Sequence, residues 1–174
     1  MKEIQLTQNK VAIVDDEDFE YLNQFKWHYV ERKSNKQSYA GIQPSRKLSG
    51  PRRTIVMHRE IMNAPKGKHV DHINHNTLDN RKKNLRICSC QENLRNKMIN
   101  RNKNTSGFKG VSWNKQNSKW KAEITVSKKN IYIGYFINKI DAALAYDEKA
   151  KELFKEFACT NFGSENSPYI LITT

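Results

Sequence analysis

The spacing of apolar residues changes along the chain, and each change predicts a different element. Over 3–6 and 11–14, apolar residues cluster in short runs around the polar pair Gln8-Asn9, which predicts two strands joined by a turn. Residues 15–25 predict a helix whose acidic first turn complements the helix dipole. Further strands are expected over 27–30 and 39–43, with Phe19, Leu22, Phe25 and Trp27 in the core and His28 on a sheet surface. A short helix is expected over 55–62, with Val56, Met57 and Ile61 available for burial, before Pro65-Lys66-Gly67 turns the chain.

Residues 69–96 read as a strand, a long polar turn, a second strand and a short helix. Val70 belongs to the first strand, and Leu85, Arg86 and Ile87 form the second, apolar at alternate positions. The turn over 74–84 is rich in Asn and Asp, which turn the chain through their own side chains. Ser89-Cys90-Gln91-Glu92 has the pattern of a capping box, so a helix is expected to start just after Ser89, with Asn93 early in it and folded back against the first strand. Residues 97–106 lack apolar periodicity and read as a polar, basic linker. Strands are then expected over 108–114, 119–127 and 130–136, and a helix over 139–157 with Asn138 as its N-cap. Its buried stripe would be Ile140, Ala143, Leu144, Ala150, Phe154 and Phe157. On the middle strand, Trp120, Ala122, Ile124 and Val126 should face that helix, leaving Lys121, Glu123 and Thr125 on an open face.

Charge sharpens this picture. The net charge is +13, and residues 66–129 hold 16 Lys and Arg against 4 Asp and Glu, whereas all other residues hold 15 against 14. Such segregation points to a polyanion partner, with the phosphates of double-stranded DNA first in line. Three cysteines without framework spacing fit a reducing compartment. No apolar run is long enough to span a membrane and the first residues lack a signal pattern, so a cytoplasmic monomer is expected, in a bacterial cell or a phage-infected host.

The chemistry concentrates at Asp71-His72, Asn84 and Asn93. A carboxylate and an amide oxygen are hard ligands, suited to Mg²⁺ or Mn²⁺, and an adjacent imidazole can take a proton from water near neutral pH. These four residues, in their strand-turn-strand-helix context, resemble the HNH endonuclease motif in its phage and intron homing-endonuclease branch. The resemblance implies that Asp71 and Asn93 bind a single hard divalent ion, that His72 is the general base, and that Asn84 pins the hairpin. His58-Arg59 resembles the His-Arg pair that often precedes the motif in this branch, with His58 read as structural. A rival reading makes His72, His75, Cys88 and Cys90 a zinc site, although C-x-C is not the usual knuckle spacing.

Residues 107–163 resemble the ethylene-response-type (plant APETALA-type) DNA-binding domain. The matching pieces are Phe108-Lys109-Gly110-Val111, Trp120-Lys121-Ala122-Glu123-Ile124, Ile133-Gly134-Tyr135-Phe136, Ala142-Ala143-Leu144-Ala145-Tyr146-Asp147 and Asn161-Phe162. In that family the open sheet face enters the major groove, which implies a reading face of Lys109, Ser112, Asn114, Glu123, Thr125, Asn130 and Tyr132. Lys115, Lys119 and Lys121 are expected on phosphates. Trp113 either stacks on the sugar-phosphate backbone or packs at the sheet edge. Arg46, Lys47, Arg52 and Arg53, and Lys97, Arg101 and Lys103 of the linker, are further candidates for phosphate contacts.

The expected fold class is α+β. It comprises a small β-rich N-terminal region (1–53), a ββα-metal HNH module (54–97), a basic linker (98–106), a three-stranded antiparallel sheet packed on one helix (107–163) and a tail (164–174). The expected function is a metal-dependent DNA endonuclease of homing type, acting on double-stranded DNA and needing no small-molecule substrate. The alternative is a non-catalytic DNA-binding regulator whose HNH motif is structural.

Overall fold

The computed structural model describes residues 1–32, 37–42, 54–97 and 104–162. They form two compact units, Met1–Cys90 and Gln91–Thr174, with the mixed α+β composition that the apolar spacing predicts. No helix among the described residues is long and apolar enough to cross a membrane.

In the first unit, strands β1 (Lys2–Gln5) and β2 (Val11–Val14) pair antiparallel, and α1 (Asp16–Leu22) follows with three acidic residues in its first turn. A second antiparallel sheet has the order β3 (His28–Arg32), β4 (Gln37–Ile42), β5 (Ile55–Val56). Ile4, Leu6, Ala12, Val14, Leu22, Trp27, Ala40 and Met57 form its core. Trp27 is anchored there by its indole N–H, which donates to the Leu22 carbonyl at 2.8 Å. Phe25 departs from expectation. The helix ends at Leu22, and Phe25 lies beyond it, 40% exposed and edge-on to Tyr21 and Trp27.

The helix expected over 55–62 is shorter than the pattern suggests. Ile55 and Val56 pair with Ile42 and Gly41 of β4, and only Met57–Ile61 is helical (α2). Two β-branched residues beside the open edge of β4 satisfy that strand's backbone groups better than a first helical turn would. The chain then enters β6 (His69–His72), which pairs antiparallel with β7 (Leu85–Cys88). The alternation expected on β7 is incomplete: Leu85 and Cys88 are buried, while Ile87 is 40% exposed.

The second unit opens with α3 (Cys90–Arg95, its first residue belonging to the first unit), which starts directly after Ser89 as the sequence suggests. A three-stranded antiparallel sheet follows, with β9 (Lys119–Val126) between β8 (Val111–Asn114) and β10 (Lys129–Phe136). Its tight turn falls at Ser127-Lys128, both with positive φ, one residue earlier than expected. Helix α4 (Lys139–Phe154) covers one face and is capped by the Asn138 side chain, which accepts from the Ile140 N–H. Its buried residues are Ala142, Ala143, Tyr146, Asp147, Ala150 and Phe154. Ile140 and Leu144, expected in the stripe, are 41% and 37% exposed, and Phe157 is half-buried in a 3-10 turn beyond the helix. The sheet is seated on small alanines and on Tyr146, one position round the helix from the stripe that side-chain size alone selects.

Candidate active site

The β6–β7 register places Arg86 directly opposite Asp71. The guanidinium Nε and Nη2 both donate to Asp71 Oδ2, at 2.9 and 2.7 Å, in a pair that is largely buried. His72 comes next on the same strand, 5% exposed, with Nε2 at 3.3 Å from Asn80 Oδ1. Asn80 is fully buried, and its Nδ2 donates to the Leu78 carbonyl. That donation turns the amide oxygen toward His72 Nε2, an arrangement that favours the tautomer with its hydrogen on Nε2. The ring of His58 meets His72 edge-on at 5.0 Å, and Tyr39 packs against His58 at 5.2 Å. Burial pushes the His72 imidazole below its ordinary pKa, with the Asn80 hydrogen bond and the charges of Asp71 and Asp79 opposing the shift.

The turn between the strands is built from its own amides. Asn84 is buried; its backbone carbonyl accepts from Ile73 N–H, its Oδ1 accepts from Asn74 N–H, and its Nδ2 donates to the Asp79 carbonyl. Asn74 Oδ1 accepts from Asn76 N–H, and Asn76 Oδ1 accepts from Leu78 N–H. Arg81 clamps Asp79 through Nε and Nη2, which holds that carboxyl below the usual carboxylate range. The N-terminal strands support this turn: Ile13 N–H donates to the Leu78 carbonyl and Asn80 N–H donates to the Ile13 carbonyl, both at 2.8 Å. Lys82 N–H donates to Asp15, and the Thr77 hydroxyl donates to the Ser38 carbonyl. Asn80, and with it the His72 ring, is thus held from β2, far away in the chain.

Residues 63–95 match the family model described as HNH endonuclease. The chain is 39% identical over 100 residues to Protein 3.8 of Escherichia phage T7, a match that spans 56% of this chain and 74% of that protein. The chain belongs to the family of Protein 3.8, with an HNH endonuclease domain. It is also 35% identical over 108 residues to a protein of Acanthamoeba polyphaga mimivirus named as an uncharacterized HNH endonuclease, spanning 62% of this chain and 53% of that one.

The donor set of the HNH domain fits a hard divalent ion better than zinc. Among the described residues, no group of three or more His, Cys, Asp and Glu side chains converges as a metal cluster, so His72, His75, Cys88 and Cys90 do not assemble the rival site. Asp71 offers a buried carboxylate, held by Arg86, immediately before the imidazole. Asn93, the other implied ligand, is half-buried on α3 in the second unit.

The sheet of the second unit carries the remaining predicted residues. Ser112, Asn114, Lys119, Lys121, Glu123, Thr125, Asn130 and Tyr132 share the face opposite α4 by register. On it, Lys121 pairs with Glu123 at 2.8 Å, and the Thr125 hydroxyl donates to Asn130 Oδ1. Lys115 is exposed in the turn after β8. Trp113 is not on this face. It pairs with Trp120 on the helix side, edge-on at 5.1 Å and 46% exposed, as a sheet-edge residue. Lys109 is also elsewhere: its ammonium donates to the carbonyls of Arg95 and Lys97. Arg46, Lys47, Arg52, Arg53, Arg101 and Lys103 lie outside the described residues.

Several residues escaped the sequence reading. Asn80 and Arg86 bond to His72 and Asp71, and Tyr39 packs against His58, whose ring meets that of His72. A bulge in β10 between Tyr132 and Gly134 adds Tyr135 to the open face, its ring 5.2 Å from that of Tyr132. The Asp79-Asn80-Arg81 run was a readable signal for a structured turn; the bulge had none beyond Gly134 itself.

Proposed function

We propose that this protein is a metal-dependent DNA endonuclease of homing type, in which the HNH hairpin cuts and the three-stranded sheet reads the site. The observation that carries the reading is His72, beside Asp71 on one strand, with its Nε2 at 3.3 Å from the Asn80 amide oxygen. Asp71, and Asn93 by resemblance, would hold one Mg²⁺ or Mn²⁺ ion. When bound, the ion supplies charge stabilisation on the phosphate and the leaving oxygen. His72 Nδ1 takes the proton from the attacking water. Its lowered pKa keeps it neutral, and so competent as a base, at neutral pH. Asn84 holds the two ends of the turn together, and Asn80 and His58 keep the ring in place. On the sheet, Glu123, Thr125, Asn130, Tyr132 and Tyr135 meet base edges as in the ethylene-response-type domains, while Lys115, Lys119 and Lys121 meet phosphates.

The test is cleavage of supercoiled plasmid in Mg²⁺, in Mn²⁺ and in chelator, with His72→Ala alongside. Cleavage by the wild-type protein should require the ion, and His72→Ala should lower it about 10²–10⁴-fold with DNA binding nearly unchanged. Undiminished cutting by His72→Ala, or cutting in chelator, would sink the assignment. Tight DNA binding with no cutting in either ion would make the protein a DNA-binding regulator instead.

A further inference from the structure

We infer that Lys109 is a positioning residue for the cutting reaction, not a DNA contact: it fastens the C-terminal end of α3, and with it Asn93, to the sheet domain. The inference rests on the reading of Asn93 as a metal ligand. The Lys109 ammonium donates to the Arg95 carbonyl at 2.9 Å and to the Lys97 carbonyl at 2.8 Å. Two of its three N–H groups are therefore spent on the last carbonyl of the helix and on a carbonyl just beyond it, the first of which has no intrahelical partner. A cation at a helix C-terminus is also favoured by the helix dipole. Asn93 lies two residues before Arg95, within the same short helix.

The anchor of this latch is rigid. Lys109 N–H donates to Asn161 Oδ1 at 2.6 Å, and Asn161 Nδ2 donates back to the Lys109 carbonyl. Asn161 and Phe162 in turn donate to the buried Asp147 carboxylate on α4. A second tie reaches the same helix end, because the Arg95 guanidinium lies over the Phe154 ring at 4.8 Å. A six-residue helix has little stability of its own, so its orientation depends on such ties. Burial lowers the Lys109 pKa, with the Cys159 thiol and the Asp147 charge opposing, as expected of an ammonium turned inward rather than held out to phosphate.

The test compares Lys109→Met, Lys109→Arg and Asn93→Ala in the full chain, measuring cleavage against Mn²⁺ and Mg²⁺ concentration and DNA affinity against salt. Residues that orient a metal ligand typically matter 10–100-fold in metal affinity or activity. Lys109→Met should raise the half-saturating ion concentration by about that factor and leave the salt slope of binding unchanged, and Lys109→Arg should recover much of the loss. If instead cleavage falls only in step with binding, and the slope drops by about one, Lys109 is a phosphate contact and the inference is wrong. If Lys109→Met fails to melt cooperatively, Arg95→Met removes the second tie and should give the same ion dependence; wild-type behaviour there overturns the inference. Full activity of Asn93→Ala would defeat the metal reading itself, whereas an inactive Asn93→Ala with a wild-type Lys109→Met defeats only the latch.

Discussion

At the scale of single residues, the proposed base depends on Asn80 as much as on His72 itself. A buried imidazole with two equivalent nitrogens would populate both tautomers; the Leu78 carbonyl fixes the Asn80 amide, and the amide fixes the ring. Asn80→Ala removes that orientation and leaves a buried N–H unpaired. A misplacement of this kind costs about 10²-fold in rate, and the lost hydrogen bond costs about 1–3 kcal/mol of stability. The pH dependence separates orientation from mere destabilisation. Because burial depresses the His72 pKa, the acid limb of cleavage should lie below the ordinary histidine value of 6.5. The Asn80 oxygen favours the protonated ring, so Asn80→Ala should move that limb to still lower pH. A pH–rate profile with the limb unmoved, or moved upward, contradicts this arrangement. The same shift has a stability consequence. The unfolded histidine binds its proton at higher pH than the folded one, so the contribution present above pH 6.5 is lost as pH falls through the folded value.

At the scale of elements, Gly110 shows how closely the sheet and α4 approach. Its φ is +73°, and an added Cβ would lie 2.0 Å from Tyr146 Cδ2 and 2.7 Å from the Glu123 carbonyl oxygen. Gly110→Ala therefore combines left-handed strain with overpacking against backbone, and should cost about 2–4 kcal/mol in a denaturant melt of the protein; a change below about 0.5 kcal/mol would show that the contact yields. Elements whose causes are local were legible in the sequence. The Asn-rich turn closes on its own side chains, α3 begins after Ser89, and the middle strand alternates as its residues do. What was hidden depends on partners distant in the chain. Ile55-Val56 reads as helix until β4 offers an edge, and Asn80 looks like one turn residue among many until Ile13 pairs beside it. Lys109 reads as a free cation until the carbonyls of Arg95 and Lys97 are seen around it.

At the scale of the whole molecule, the proposed function makes charge and sequence reading separable, because it assigns them to different side chains. On the proposed function, the excess of positive charge over 66–129 should make DNA binding electrostatic. If roughly six phosphates are neutralised, affinity should fall by about three decades between 50 and 200 mM salt. Lys115 and Lys119 are exposed and form no ion pair among the described residues, whereas Lys121 is engaged by Glu123. Lys115→Ala with Lys119→Ala should then weaken binding about equally on all sequences and lower the salt slope by about two. The tyrosines carry no charge to release counterions. Their rings stand 56% and 38% exposed on the open face, paired by the β10 bulge, and offer apolar surface to thymine methyl groups as well as hydroxyls to base edges. Tyr132→Ala with Tyr135→Ala should leave the salt slope intact and relax the choice of site. The decisive measurement is a cleavage-site map on long random DNA for the wild-type protein and both double variants. If the tyrosine variant keeps the wild-type map while the lysine variant loses it, site choice resides in the charged positions, and the tyrosine pair is not the reader.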